Sequence, residues 1–449
     1  MKNTEQFKGQ KILVLGLAKS GYAAAKLLHS LGAEVTVNDA SPLENNAEAS
    51  ALLKEGVRVI CGGHPTDLLD EDFTVIVKNP GIPYTNSMIQ QAIEKKIPIW
   101  TEIEVAYQIS EAPIVGITGS NGKTTTTTLL YHMLSIGNEK PLIAGNIGTV
   151  ACSVAQEAKE ENVIVLEASS FQLMGVETFR PKIAMITNLY DAHLDYHGNF
   201  EAYSQAKAQI TAHQIDDDFL IYNADQAPVR EIAARSNAIK IPFSVEGKKD
   251  YGISADEHEI YWNGEPFISR SVIKLPGKHN LENILSAAAA AILLGCEKSA
   301  IIDVLSSFTG VKHRMQFVKE LHGRKYYNDS KATNTLATKS ALAAFDSPIV
   351  LIAGGLDRGH SFEELRPYMD NVKAVVALGE TKKRFAEFAQ SCGIKSVEEA
   401  TTMEHAVQLA HDLSSEKDII LLSPASASWD EYASFEVRGD KFIDAVMSL

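Results

Sequence analysis

The chain has 449 residues, 45% apolar and 22% charged, with 42 lysines and arginines against 57 aspartates and glutamates for a net charge of −15. This composition excludes a disordered or fibrous chain and disfavours a general binder of nucleic acid or anionic membranes. The length points to about three domains.

The amino-terminal MKNTEQFKGQKILVLGLAKSG carries an apolar run interrupted by Lys19 with no small-residue cleavage site after it, and reads as a first strand, not a signal peptide. Cys61, Cys152, Cys296 and Cys392 lie far apart without metal-ligand spacing and read as reduced thiols. The longest apolar stretch, SAAAAAILLGC at 286–296, falls short of the roughly 18 residues of a membrane span. A cytoplasmic protein is expected.

From residue 11 to about 110, β-branched runs (KILVLGL, AEVTVND, FTVIVKNPGI) alternate with helical patterns, which predicts parallel βαβ units in a Rossmann-like first domain, 1–111. Ala112 and Pro113 precede a fresh strand, PIVGIT, that runs into a glycine turn and a helix starting near Lys123. VIVLEASS and PKIAMITNL continue a buried parallel sheet, Asn263-Gly264 marks a hairpin, and a helix over 281–294 closes a central domain, 112–311. The expected central fold is an ATPase-like parallel sheet with a small antiparallel sheet beside it. SPIVLIAGG, VKAVVALG and KDIILLSPAS predict a second Rossmann-like α/β domain over 312–449.

The sharpest chemical signal is GITGSNGKTTTTTLL at 116–130. A glycine turn at a helix amino terminus aims N–H groups at a phosphate, a lysine adds a point charge, and a threonine hydroxyl can bind Mg²⁺. Gly119, Ser120, Asn121, Gly122, Lys123, Thr124 and Thr125 therefore form a candidate ATP cradle, although the strict Walker spacing would require glycine where Ile117 stands. No guanine-reading Asn-Lys or Thr-Lys-x-Asp motif is present. A second glycine turn, GLAKSG at 16–21, has Ala18 in place of the central glycine of a dinucleotide fingerprint and Asp39 at the next strand end. It suggests a site for a diphosphate-bearing ligand touching Gly16, Ala18, Lys19, Ser20 and Asp39.

Downstream, Glu167 and His193 end successive strands, where ligands of open parallel sheets bind. Glu167 is placed to hold Mg²⁺ with Thr124, or else to face Ser169 and Ser170 at a helix start. Asp191, Asp195 and His197 are alternative metal ligands beside His193. HRM at 313–315 and NDSKATN at 328–334 group Arg314, Asp329, Lys331 and Thr333 like a site, with the cations suited to offset phosphoryl charge. Lys207, read from the sequence alone, is a solvent-facing helix residue.

These segments, with KNPGI at 78–82, GNIG at 145–148, PGKHNLENILSA at 276–287 and SPASASWDEYASFEVRGDKF at 423–442, resemble in order the Mur ligase family of peptidoglycan synthesis. The resemblance spans the whole chain. It implies one domain for a UDP moiety, one for ATP and one for an incoming amino acid. It further implies that Thr124 and Glu167 hold a first Mg²⁺, and that His193 holds a second with a carbamylated Lys207, whose carbamate comes from CO₂. Asn146 would lie near the reacting groups. Asn283 would contact adenine, Arg314 a phosphate and Asp329 a ribose. Lys331, Thr333, Arg358, Ser428 and Phe435 would surround D-glutamate, and Asn79 would serve the UDP-linked substrate. Arg358 replaces a lysine expected in some members.

The implied activity is ATP-dependent amide formation between D-glutamate and UDP-N-acetylmuramoyl-L-alanine through an acyl phosphate, by a monomer without nucleic-acid partners. Rival readings are a relative adding another amino acid, a nicotinamide dehydrogenase built on GLAKSG, and a non-enzymatic ATP switch. The dehydrogenase leaves the ATP turn and Lys331 without a role.

Overall fold

A computed structural model describes the backbone of residues 1–449 and every side chain except that of Asp195. The chain divides into two compact units, Met1–Phe308 and Thr309–Leu449.

The first unit contains two sheets. In the amino-terminal one, five strands lie in the spatial order Arg58–Cys61, Glu34–Asp39, Lys11–Leu15, Val75–Lys78 and Ile99–Trp100, all parallel. This is the Rossmann-like arrangement expected of the alternating pattern. KILVL is buried on both faces from its second residue on, as a central parallel strand requires. The switch between outward strand orders lies after Lys11–Leu15, so Gly16–Gly21 opens at the crevice.

The second sheet has nine strands. Lys140–Gly145, Asn162–Glu167, Ile114–Thr118, Ile183–Ile186, Phe219–Asn223, Ile239–Ser244 and Ile253–Ala255 run parallel in that order. Glu259–Trp262 and Glu265–Ser269 then add antiparallel strands at the edge, joined by Asn263 and Gly264 at φ 48° and 81°. The hairpin is where the sequence places it. It extends the main sheet and does not form a separate one, because Phe243 and Ser244 pair with Ile253 and Ser254. The two sheets are distinct on either side of residue 111, but one hydrophobic core crosses between them. Ile12, Val14 and Leu27 of the amino-terminal region share it with Ile103, Ile109, Cys152, Leu166 and Phe179.

The second unit is a six-stranded sheet in the order Gln316–Leu321, Arg324–Asn328, Ile419–Leu422, Ile349–Ala353, Val372–Ala377 and Ser396–Glu399, with only the first pair antiparallel. Alternation is strict: Ile349, Leu351 and Ala353 enter the core on one face, Val350 and Ile352 that on the other. Among the described residues no helix is long and apolar enough to cross a membrane.

Candidate active site

The strand Ile114–Thr118 is fully buried between Asn162–Glu167 and Ile183–Ile186 and delivers the turn Gly119–Gly122 at their shared ends. Two glycines are dictated by space as well as by dihedral angle. A Cβ on Gly119 (φ +150°) would stand 1.9 Å from the Thr187 hydroxyl, and one on Gly122 (φ +82°) 2.0 Å from Asn283 Oδ1. The turn is stapled to the neighbouring strand end: Ser120 N donates to Asn188 O (2.9 Å), Asn121 N to Asn188 Oδ1 (2.8 Å), and Thr187 Oγ1 to Asn121 O (2.7 Å). Sequence reasoning missed Thr187 and Asn188, although they close the strand PKIAMITNL.

The helix Lys123–Ile136 starts directly from Gly122, so its first-turn N–H groups face the turn without intrahelical partners. Lys123 Nζ bends back over the turn to Gly119 O (2.9 Å) and Ser120 O (3.1 Å). Thr124 and Thr125 are buried behind it. Asn283, also buried, lies against Gly122 and accepts from the Thr126 hydroxyl at 3.4 Å.

Glu167 ends the adjacent strand, in register with Ile117, and is 2% exposed. Its Oε1 accepts from Asn146 Nδ2 (2.8 Å), while Asn146 N donates to Glu167 O (2.9 Å). The other carboxylate oxygen, Oε2, is buried with no hydrogen-bond partner among the described residues. A buried carboxylate oxygen without a donor is costly, and a hard cation is the ligand that would satisfy it. The donor set of Glu167 and the Thr124 hydroxyl suits Mg²⁺, which takes one or two protein oxygens and fills its remaining positions with water and phosphate. Among the described residues no three His, Cys, Asp or Glu side chains gather into a protein-only metal cage.

Lys207 corrects an expectation. It is 2% exposed, not solvent-facing. On the helix Phe200–Ala208 it shares the inward face with Tyr203 and Ala206, and its Nζ donates to Gly119 O (2.8 Å) and Thr118 Oγ1 (3.4 Å) while lying 4.8 Å over the Tyr203 ring. Burial, reinforced by the nearby Lys123 charge and opposed by Glu167, pushes its pKa well below the ordinary lysine value. Tyr203 in turn shares a hydrogen bond with Ser120 Oγ (2.9 Å).

His193 is exposed, in a left-handed conformation (φ 54°) at the start of the short helix Leu194–His197, with its ring 5.1 Å from that of Phe171. His197 stacks on Phe171, with Nε2 3.0 Å from Ser170 Oγ. Asp191 is exposed, and the Asp195 side chain lies outside the described residues. Tyr196, on the same short helix, donates to Ile82 O (3.1 Å) and brings the segment 79–82 of the first sheet against this corner.

At the end of the first sheet Asp39 closes on the glycine turn: it accepts from Leu17 N (2.7 Å) and Ser41 N (2.8 Å). Burial opposes its ionisation, but these backbone donors prevail and hold its pKa below the ordinary aspartate value. Ala18 and Lys19 are exposed at the helix start. Asn79 Nδ2 donates to Ser20 Oγ (3.0 Å), tying two expected substrate residues together. The neighbouring Lys78, which sequence reasoning passed over, is 1% exposed. Its Nζ donates to the carbonyls of Asn79 (3.4 Å), Pro80 (3.3 Å) and Ile82 (2.9 Å), and burial lowers its pKa to about 8.

In the second unit Asp329 is buried, accepting from Met315 N (3.1 Å) and Ser423 Oγ (3.0 Å), and burial raises its pKa to about 7. Lys331 Nζ lies 5.3 Å over the Phe435 ring, and its backbone N donates to His313 O (3.0 Å). Arg314 and Thr333 are half-buried on the same two segments, Arg358 is exposed, and Ser428 is buried. Arg438, 1% exposed, binds Ser330 O (2.9 Å), Ser330 Oγ (3.1 Å) and Ser426 O (3.1 Å), joining the segment that carries Lys331 to the one that carries Ser428.

Family models match along the chain in the order of the three sheets: the Mur ligase MurD-like N-terminal domain at 10–101, the Mur ligase middle domain at 117–291, and the Mur ligase glutamate ligase domain at 313–426. The chain belongs to the Mur ligase family. Like other members, it is an ATP-dependent, amide-bond-forming enzyme. It is 55% identical over 450 aligned positions to a UDP-N-acetylmuramoylalanine--D-glutamate ligase of Geobacillus sp. (strain WCH70), and 54% identical over 449 to the protein of that name from Bacillus cereus (strain G9842), covering 100% of both chains in each case. Solved Mur ligases share the fold at low identity. MurF from Acinetobacter baumannii gives a TM-score of 0.58 at 17% identity, covering 100% of this chain and 93% of that one. The UDP-N-acetylmuramate-alanine ligase MurC from Thermotoga maritima gives 0.57 at 19%, covering 98% and 99%.

Proposed function

We propose that this Mur ligase joins D-glutamate to UDP-N-acetylmuramoyl-L-alanine with cleavage of ATP to ADP and phosphate, a cytoplasmic step of peptidoglycan synthesis. The observation that carries the reading is the buried, unpartnered Oε2 of Glu167 beside a lysine-bearing phosphate turn. Such an oxygen would suit a cation bound to a nucleotide. The identity of the relatives over their full length supports the choice of D-glutamate.

Amide formation from a carboxylate and an amine in water is uphill, so the carboxylate of the alanyl group attacks the γ-phosphorus and ADP leaves. The amine of D-glutamate then attacks the acyl phosphate carbonyl, loses a proton and expels phosphate. The turn 119–122 and the first-turn N–H groups of Lys123–Ile136 would hold the triphosphate, with Lys123 as the mobile positive charge over it. Asn283, beneath the turn, would meet the adenine side, with Arg314 at a phosphate and Asp329 at the ribose. Thr124 and Glu167 would hold one Mg²⁺, and His193 with a carbamate on Lys207 a second. These ions supply charge neutralisation to the transferring phosphoryl group. The lowered pKa of Lys207 supports the carbamate, because only a neutral amine adds CO₂. Asn146 orients Glu167 through its 2.8 Å bond.

Gly16, Ala18, Lys19, Ser20, Asp39 and Asn79 would form the UDP end, and Lys331, Thr333, Arg358, Ser428 and Phe435 the D-glutamate end. In this reading the chain works as three domains, 1–111, 112–311 and 312–449, one for each ligand.

The test is phosphate release from ATP in the presence of Mg²⁺ and UDP-N-acetylmuramoyl-L-alanine, with a panel of amino acids. Release that depends on D-glutamate is expected. Release with a different amino acid, or with none, would overturn the assignment.

A further inference from the structure

Trp429 is 65% exposed, on the segment that follows the strand Ile419–Leu422, one residue beyond the buried Ser428. The guanidinium of Arg358 lies over its indole, 5.0 Å from the ring centroid. Indole is the strongest aromatic partner for a cation, and stacking occupies the face of a guanidinium while leaving the N–H donors along its edge available.

The adjoining carboxylates are engaged elsewhere. Asp357 binds the Arg384 guanidinium and Gly359 N, while Asp430 Oδ2 accepts from Glu380 N (3.0 Å). Among the described residues Arg358 has no carboxylate partner of its own. The two segments are fixed to one another: Gly354 N donates to Pro424 O (2.8 Å) and Leu356 N to Ala427 O (2.9 Å). At Gly355 they approach so closely that a Cβ would stand 2.3 Å from Ala427 O. The same unit repeats the device with Lys331 over Phe435 at 5.3 Å.

We infer that Trp429 is a positioning residue for the amino-acid substrate, its indole face holding the Arg358 guanidinium so that the N–H edge meets a carboxylate of an acidic amino acid. This rests on the reading that the second unit binds D-glutamate. A four-carbon lysine at position 358 would be held less firmly, because an ammonium has no plane to stack.

Steady-state kinetics of the full chain with Trp429→Ala, Trp429→Phe, Arg358→Ala and the Trp429→Ala/Arg358→Ala pair test it. Trp429→Ala should raise KM for D-glutamate about three- to tenfold with KM for ATP unmoved, Trp429→Phe should recover most of the loss, and Trp429→Ala should add nothing once Arg358 is gone. An unchanged KM for D-glutamate, an equal rise in KM for all three substrates, or full additivity in the pair would overturn the inference while the D-glutamate activity of the wild type stands. A wild type that releases no phosphate with D-glutamate would overturn the parent reading and this one with it.

Discussion

The turns at 16–21 and 119–122 are built from the same strand, glycine bend and helix, yet one is closed on itself and the other is held open. In the first, the carboxylate at the next strand end, Asp39, spends its oxygens on Leu17 N and Ser41 N. In the second, Glu167 keeps one oxygen buried and unpaired, and two lysines, Lys123 and Lys207, converge on the carbonyl of Gly119. Hydrogen bonds complete within the protein fix the shape of the first turn, whereas a polar group left incomplete in the second is a cost in stability that a bound cation would relieve. Carboxylates of the first unit differ in charge as well. Asp39 is held ionised, whereas Glu102, which accepts from Cys152 N (3.2 Å) and Gln172 Nε2 (3.3 Å), is wholly buried and has its pKa raised to about 7.

Three substitutions would break or sharpen this contrast. Lys207→Ala at the open turn should reduce ligase activity on the order of 10³-fold, with partial recovery on adding formate or acetate; full activity would remove the carbamate from the mechanism. Glu102→Gln should change the pH dependence of stability. A carboxyl whose folded pKa is raised above its unfolded value contributes stability that is present at low pH and lost as pH rises through about 7. The glutamine variant, which cannot ionise, should therefore gain on the wild type by on the order of 2 kcal/mol between pH 5 and pH 8, read from urea midpoints. A parallel pH response in both proteins would contradict a protonated Glu102.

The smallest effect belongs to the closed turn. Asp39→Asn should cost about 1 kcal/mol at pH 7. That deficit should shrink as pH falls through the ordinary aspartate range, because the depressed folded pKa of Asp39 confers stability only where the unfolded residue is ionised. A deficit that is the same at pH 3 and pH 7 would show that the charge plays no part.

Much of the architecture was legible because parallel strands buried on both faces write continuous apolar runs: KILVL, IVGIT and IVLIA all fold as expected. The hairpin Gln316–Leu321 with Arg324–Asn328 escaped notice because both strands carry charges among their apolar residues, although His322 and Gly323, at φ 49° and 72°, form its two-residue turn. The burial of Lys207 had a signal that went unread. Tyr203, Ala206 and Ile210 are buried at helical spacing, and Lys207 occupies the same stripe. Thr187, Asn188 and Lys78 left no comparable trace, because their roles depend on strands that meet only in the folded sheet.

Arg438 carries a consequence for ligand design. By fastening Ser330 to Ser426 from within the core, it holds the segments bearing Lys331 and Ser428 in one arrangement, so if these form the proposed D-glutamate end, a small dicarboxylate or an inhibitor shaped like one would lose little affinity to loop ordering. Chemists seeking selectivity in this unit would gain more by fitting its fixed contour than by adding flexible arms.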